Sequence, residues 1–365
     1  MLATKVICIM GKLLFVFKRK TIPLNPKKIL IIRSGAIGDV LMSTPLVGEL
    51  RKKYPEAEIC YLVGKWSCQA LKNNTNIDKM IVFDDKIIYK KKLPEVLKLI
   101  RKIRKQEYDL CFVLDKSWLF GLFSWLCGTK FRIGFDRRGE GFANNISVPF
   151  DGSKYELGYY LDLARKIGIK AVDKEIEIRC DKKDIVNAKN FLYKNKINNK
   201  ILIGISPGGA TNPGQDFLEK RWPINNYEGL IKRILRRNKK HYILLFGGLS
   251  DRNVLADLKN KINSKKIIIA PLNSIQISHL LMNKCKIIIS HDSGAMHISG
   301  ASHTKTIALF GPTPSIRFAP KNAIVLEVKA RGCPCYDLYG NYKKNCKEDC
   351  MKNISVEKVY NRIKW

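Results

Sequence analysis

Four stretches of this 365-residue chain hold residues able to do chemistry, and three of them pair glycines with charged or hydroxyl side chains. In Arg33-Ser34-Gly35-Ala36-Ile37-Gly38-Asp39, glycines let a ligand approach the backbone and an acid opens the following helix. Asp39 there is either a helix-terminus charge or a general base. In Ser206-Pro207-Gly208-Gly209-Ala210, followed by Lys220-Arg221-Trp222-Pro223, a glycine turn and two adjacent cations suit a diphosphate. The same residues also fit a plain Gly/Pro loop ahead of a helix whose first-turn proline is Pro223. In His291-Asp292-Ser293-Gly294-Ala295-Met296-His297, an acid, a hydroxyl and a glycine open a helix whose first amides can meet a ligand. His297, one turn on, is either packed core or part of that site. The fourth stretch is Cys333-x-Cys335, then Cys346-x-x-x-Cys350 after ten intervening residues. Four thiols can hold a structural zinc, although C-x-C is tighter than the usual spacer. Otherwise they are packed or redox-variable thiols, since a reducing compartment disfavours disulfides.

Placing these residues requires a strand ending at each of them. Apolar runs predict strands at 29–32, 58–63, 80–83 and 110–114, with helices at 39–53, 93–104 and 118–126. A polar stretch at 173–200 holds the expected boundary. A second series follows, with strands at 201–205, 242–246, 266–269, 286–290 and 306–310 and a last helix at 356–363. Alternating strands and helices imply mostly parallel α/β sheets, whose ligands bind at the carboxyl ends of the strands. Expected boundaries are an N-terminal segment 1–25, Rossmann-like domains 26–180 and 181–350, and a terminal helix 351–365. The G-x-x-G spacing, and a 58–63 strand without a terminal acid, argue against a dinucleotide.

The apolar run 6–17 is too short to span a bilayer and carries Lys12, with Lys5 before it and Lys18-Arg19-Lys20 after it. No small-residue cleavage site follows. It predicts either a helix lying among lipid headgroups or an ordinary helix packed on the body. A composition of 45% hydrophobic and 27% charged residues is that of a globular protein, and eleven cysteines in mostly apolar surroundings fit a reducing compartment. The net charge of +35 concentrates anions: phosphates, an anionic membrane or nucleic acid. The basic blocks are scattered, without the one-sided basic and aromatic interleaving of a nucleic-acid binder, so no nucleic-acid partner is expected.

Taken together and in order, ILIIRSGAIGDVLMSTP (29–45), SPGGATNPGQDFLEKRWP (206–223) and SHDSGAMHISGASHTKTIALFGPTP (290–314) resemble the lipopolysaccharide heptosyltransferases of glycosyltransferase family 9. The tail of paired cysteines is similar as well. The resemblance implies a GT-B fold, two Rossmann-like domains whose parallel sheets face a central cleft. It implies metal-independent, inverting transfer from ADP-heptose to a lipopolysaccharide inner core, with no cofactor, at the cytoplasmic face of the membrane. Position by position, Asp39 matches the base and Lys220 the lysine that meets the donor phosphates. Ser206, Gly208, Gly209, Arg221, Asp292, Ser293, Gly294 and His297 fall on the donor side. Ser34, Gly35, Gly38, Arg137 and Arg138 are acceptor candidates, with Lys116 and Arg132 in the same half. Another nucleotide sugar fits the same motifs.

Overall fold

In the computed structural model of the chain the described residues are 2–15, 21–90, 92–172, 174–328, 330, 332–338, 342 and 350–365. The chain divides into two units, Met1–Lys174 and Glu175–Trp365, so the second begins slightly ahead of the expected residue 181.

The first unit runs α1 (Leu2–Leu14), β1 (Lys28–Arg33), α2 (Ile37–Met42), α3 (Thr44–Lys53), β2 (Glu58–Gly64), β3 (Lys79–Phe83) and α4 (Lys86–Tyr89). It continues with α5 (Leu93–Arg104), β4 (Leu110–Val113), α6 (Trp118–Leu126), β5 (Phe131–Asp136), β6 (Ile146–Pro149) and α7 (Glu156–Arg165). Its six strands are all parallel, in the order β3-β2-β1-β4-β5-β6. Ile29, Leu30, Ile31 and Ile32 of β1 are fully buried, as a central strand covered on both faces requires. The single helix expected at 39–53 is broken in two. The Ser43 hydroxyl donates to the Val40 carbonyl (2.7 Å) and Thr44 to that of Leu41 (2.8 Å), while Pro45 brings no amide to continue the ladder.

The second unit runs α8 (Lys182–Lys194), β7 (Ile201–Ser206), a hairpin of β8 (Thr211–Asn212) and β9 (Gln215–Asp216), α9 (Ile224–Arg237), β10 (His241–Leu245), α10 (Arg252–Ile262) and β11 (Ile267–Ile269). It ends with α11 (Ile275–Met282), β12 (Cys285–His291), α12 (Gly294–Gly300), β13 (Thr306–Phe310), α13 (Ser315–Phe318), β14 (Ala323–Glu327) and α14 (Val356–Tyr360). Its order, β11-β10-β7-β12-β13-β14, repeats the first sheet's topology, again all parallel. In both sheets the strand order therefore reverses once, between β1 and β4 and between β7 and β12, and such switch points open a crevice at the strands' carboxyl ends.

The tail, set apart in sequence as a terminal helix, completes the second unit's core. Met351, Ile354, Val359 and Ile363 pack with Trp222, Tyr227 and Ile231. Trp222 is fully buried, crosses Tyr227 edge-on at 4.8 Å, and donates its indole N–H to the Ile354 carbonyl at 2.8 Å. A polar handle met inside an apolar pocket is the usual condition for burying a tryptophan whole.

Candidate functional site

Both switch points are lined by the motif residues. In the first unit the chain leaves β1 at Arg33, and Asp39 sits in the first turn of α2. Arg33 reaches Asp39 (Nη2 to Oδ2, 2.8 Å) and also pairs with Asp115, just beyond β4. Asp115 accepts the Ser34 amide at 3.0 Å and the Ser34 hydroxyl at 3.3 Å. The adjacency follows from register: β1 and β4 are parallel neighbours with Ile32 opposite Val113, so residues just past both ends meet. Burial disfavours the Arg33 charge, but Asp115 and then Asp39 outweigh it and hold the guanidinium pKa well above its ordinary value. Tyr160 of α7 lies in the same field. Burial keeps its hydroxyl protonated, and that hydroxyl has no hydrogen-bond partner among the described residues. A buried donor left open beside an acid points to a place for a ligand oxygen.

The cations named for the acceptor are largely committed elsewhere. Lys116, about one-tenth exposed, pairs with the fully buried Glu156, with its ammonium 5.4, 5.1 and 4.9 Å from the rings of Phe135, Phe150 and Tyr160. Arg132 donates to the carbonyls of Ala143 and Thr129 at 2.8 and 2.7 Å. Arg137 pairs with Glu140 at 2.9 Å, and Arg138 is exposed in a left-handed conformation (φ 57°).

In the second unit Asp292 follows β12 and gathers three groups. Lys220 Nζ lies 3.0 Å from Oδ2, the Thr313 hydroxyl donates to Oδ2 at 2.7 Å, and His297 Nε2 stands 4.0 Å from Oδ1. Burial opposes ionisation of Asp292, yet the Lys220 charge first, then His297 and the bonds from Thr313 and Lys220, hold its carboxyl below the usual range. Lys220 ends a 3-10 turn (Leu218–Lys220) placed by the β8–β9 hairpin, which Phe217 closes by donating its amide to the Ala210 carbonyl at 2.8 Å. The Phe217 ring lies 4.8 Å from the ammonium.

Arg221 departs from the expected pair of phosphate-facing cations. Its Nε donates to the Gly209 carbonyl at 2.9 Å, and Nη2 lies 3.7 Å from Asp251. Asp251 in turn accepts the amides of Gly209 and Gly248, each at 2.8 Å. The glycines are needed here: a Cβ on Gly208 would collide with the Asp251 carboxylate, and Gly209 has φ 85°. Ser206 is buried at the end of β7 with its hydroxyl lacking a partner among the described residues. Gly294 begins α12, and Ser293 caps it in an extended conformation without a capping bond from its side chain.

The tail braces this region. Tyr336 donates its amide to the Pro312 carbonyl (2.8 Å) and its hydroxyl to Glu219 (2.6 Å), next to Lys220. Gly311 lies under Met351 and Cys350, leaving no room for a Cβ. The sulfurs of Cys333, Cys335 and Cys350 lie within 4.8 Å of one another, and Cys346 is outside the described residues. Cys333 and Cys350 form a disulfide, the pairing that cysteine usage in the sequence disfavoured. Asp115, Tyr160, Asp251 and Thr313 carried no role in the sequence reading. The available signal was position, since Asp115 and Thr313 fall just past strand ends as Asp39 and Asp292 fall just past theirs.

The sequence pattern of glycosyltransferase family 9 (heptosyltransferase) matches residues 96–350. Lipopolysaccharide heptosyltransferase 2 of Salmonella typhimurium is 25% identical over 305 residues, spanning 78% of this chain and 83% of that protein. Lipooligosaccharide heptosyltransferase 2 of Campylobacter jejuni is 25% identical over 350 residues, spanning 92% and 97%. Among solved structures, a glycosyl transferase family 9 protein of Veillonella parvula superposes with a TM-score of 0.74 at 22% identity, covering 94% of this chain and 97% of that one. An E. coli heptosyltransferase solved with ADP-2-deoxy-2-fluoro heptose superposes at 0.68 and 15% identity, covering 92% and 98%. These structural likenesses carry the fold, and two Rossmann-type units in one chain are the GT-B class.

Proposed function

The chain belongs to glycosyltransferase family 9, and from that membership we propose that it transfers a heptose from ADP-heptose to a lipopolysaccharide inner core or a related lipid-linked acceptor. The observation that carries the reading is the Lys220–Asp292–Thr313 group at the second sheet's switch point, an ion pair beside a glycine turn. Lys220 exchanges Asp292 for the donor's diphosphate and neutralises the charge that develops on departing ADP. The Gly208–Gly209 turn and the Ser206, Ser293 and Gly294 positions supply close backbone and hydroxyls, and Asp292 takes sugar hydroxyls. Arg221 holds the turn from behind, and His297 supports Asp292.

Asp39 is the base. As the acceptor oxygen bonds to the anomeric carbon, the carbon–oxygen bond to the β-phosphate breaks on the opposite face and the acceptor proton passes to the Asp39 carboxylate, inverting the centre. Arg33 and Asp115 fix that carboxylate, and Ser34, Gly35, Gly38, Arg137 and Arg138 lie on the acceptor side. The positive charge of Lys220 takes the part a divalent ion has in metal-dependent transferases, so no catalytic metal is needed. A lipid-linked acceptor places the enzyme at the inner face of the cytoplasmic membrane. Among the described residues, no helix is long and apolar enough to cross a membrane. In the reduced state, the clustered Cys333, Cys335 and Cys350 offer thiolates for one structural zinc.

Calorimetry with ADP-heptose, ADP, UDP-glucose and GDP-mannose, without added metal, tests the donor. Selective binding of ADP-heptose is expected. Preference for a UDP or GDP sugar would replace the heptose assignment, and binding of none by folded protein would end it. Asp39→Asn is expected to cut turnover about 10²- to 10⁴-fold with donor affinity nearly intact. Lys220→Ala is expected to weaken donor binding about tenfold or more. Unchanged values remove those roles.

A further inference from the structure

Helix α1 is apolar on two opposite faces. One stripe packs on the body: Cys8 and Gly11 are buried, Gly11 lies directly against the Phe142 ring, and Phe15 just past the helix joins the same cluster. At 3.6 residues per turn, Val6, Ile9, Met10 and Leu13 fall on the opposite side. They are exposed, Ile9 by 62% and Leu13 by 72%, with Leu14 beside them at 79%. A surface helix packed on a globular body ordinarily turns polar residues to water on that side.

Helix α6 continues the face. Its sequence, WLFGLFSWL, holds no charged residue, and it buries Gly121 and Ser124 while exposing Leu119 by 55% and Trp125 by 47%. Burying the small residues and exposing the large ones reverses the usual order. The Phe15 and Trp125 rings meet edge-on at 5.2 Å and join the two helices into one patch. Basic side chains rim it. Lys12 lies against Gly139 beside the exposed Arg138, and Arg104 lies along Gly128 just past the end of α6.

We propose that the α1–α6 face docks on an anionic lipid bilayer, with Ile9, Leu13, Leu14, Leu119 and Trp125 inserted to headgroup depth. Apolar side chains and an indole ringed by cations are what such a surface accepts. A second copy of the chain fits less well, because symmetric pairing would bring the same basic rims together. The proposal rests on the reading of the enzyme as peripheral to a membrane and is independent of its donor.

The test is co-sedimentation of the full chain with phosphatidylglycerol/phosphatidylethanolamine vesicles and with neutral phosphatidylcholine vesicles. Ile9→Ser/Leu13→Ser/Leu14→Ser and Leu119→Ser are compared with the unaltered chain, with circular dichroism and donor affinity as checks of folding. Binding to the anionic vesicles is expected, weakened in 0.5 M salt and reduced about tenfold or more in the triple variant, with a smaller loss in Leu119→Ser. Undiminished binding by both variants would overturn the assignment of the face and leave the membrane reading standing. An unaltered chain that pellets with no vesicle would overturn both. A dimer that the triple variant dissociates, without vesicle binding, would make the face an interface between copies.

Discussion

Tyr227 and His291 meet beneath the glycine turn of the second unit. The Tyr227 hydroxyl lies 3.1 Å from the Ser206 carbonyl oxygen and 3.0 Å from His291 Nδ1. His291 Nε2 is buried with no partner among the described residues. Burial pushes the His291 pKa down to about 3, with Asp292 opposing and the Arg221 and Lys220 charges adding to the fall. Between about pH 6.5 and that value the unfolded chain binds a proton that the folded chain refuses, so stability falls as pH falls. The full slope is about 1.4 kcal/mol per pH unit. His291→Gln is expected to be less stable at pH 7.5 yet to lose less on acidification to pH 4.5, as read by urea unfolding. An identical slope in the variant would show that His291 does not titrate this way. Asp39 and Asp292 were legible as candidates because each is an acid close to a glycine after a strand, and Lys220 because it is one of two adjacent cations after a glycine turn. Asp115 and Thr313 were not, because their meeting with Arg33 and Asp292 depends on which strands are neighbours, which no local pattern encodes.

At the scale of elements, the central strands announced themselves and the peripheral ones did not. β1, β7 and β12 are continuous apolar runs covered on both faces. β5 was missed because Arg132 and Gly134 interrupt its apolar residues, and β6 and β14 because edge strands are only half covered. The break between α2 and α3 was missed although its cause, Ser43-Thr44-Pro45, stands in the sequence. Within β7, Gly204 pairs with Leu244 on one side and Ile288 on the other. A Cβ there would strike the Ile288 side chain and approach Phe246 at 3.0 Å and Cys285 at 3.3 Å. Gly204→Ala is expected to cost about 1–3 kcal/mol by overpacking a strand that cannot move without its two neighbours. An unchanged urea midpoint would mean the sheet yields more easily than its packing implies.

For the molecule as a whole, two units of the same strand order carry different charged groups at corresponding switch points, and the roles proposed for them separate accordingly. If ADP is held by the Lys220 group, saturating ADP should slow amide exchange within Glu175–Trp365. At a hundredfold excess over its dissociation constant, ADP should stabilise that unit by about 2.7 kcal/mol. Protection confined to Met1–Lys174 would reverse the assignment. The bond from Trp222 to Ile354, 132 residues apart, also sets a schedule for the chain as it is made. At ordinary ribosomal speeds the tryptophan waits roughly 7 to 26 seconds for the carbonyl that receives it. For the last part of that interval, once Glu327 is made, the nascent second unit has its sheet residues but not its closing segment, and a large aromatic pocket stands open. That interval is when a nascent-chain chaperone has most to shield, and a stop codon ahead of Ile354 would leave the pocket open for good.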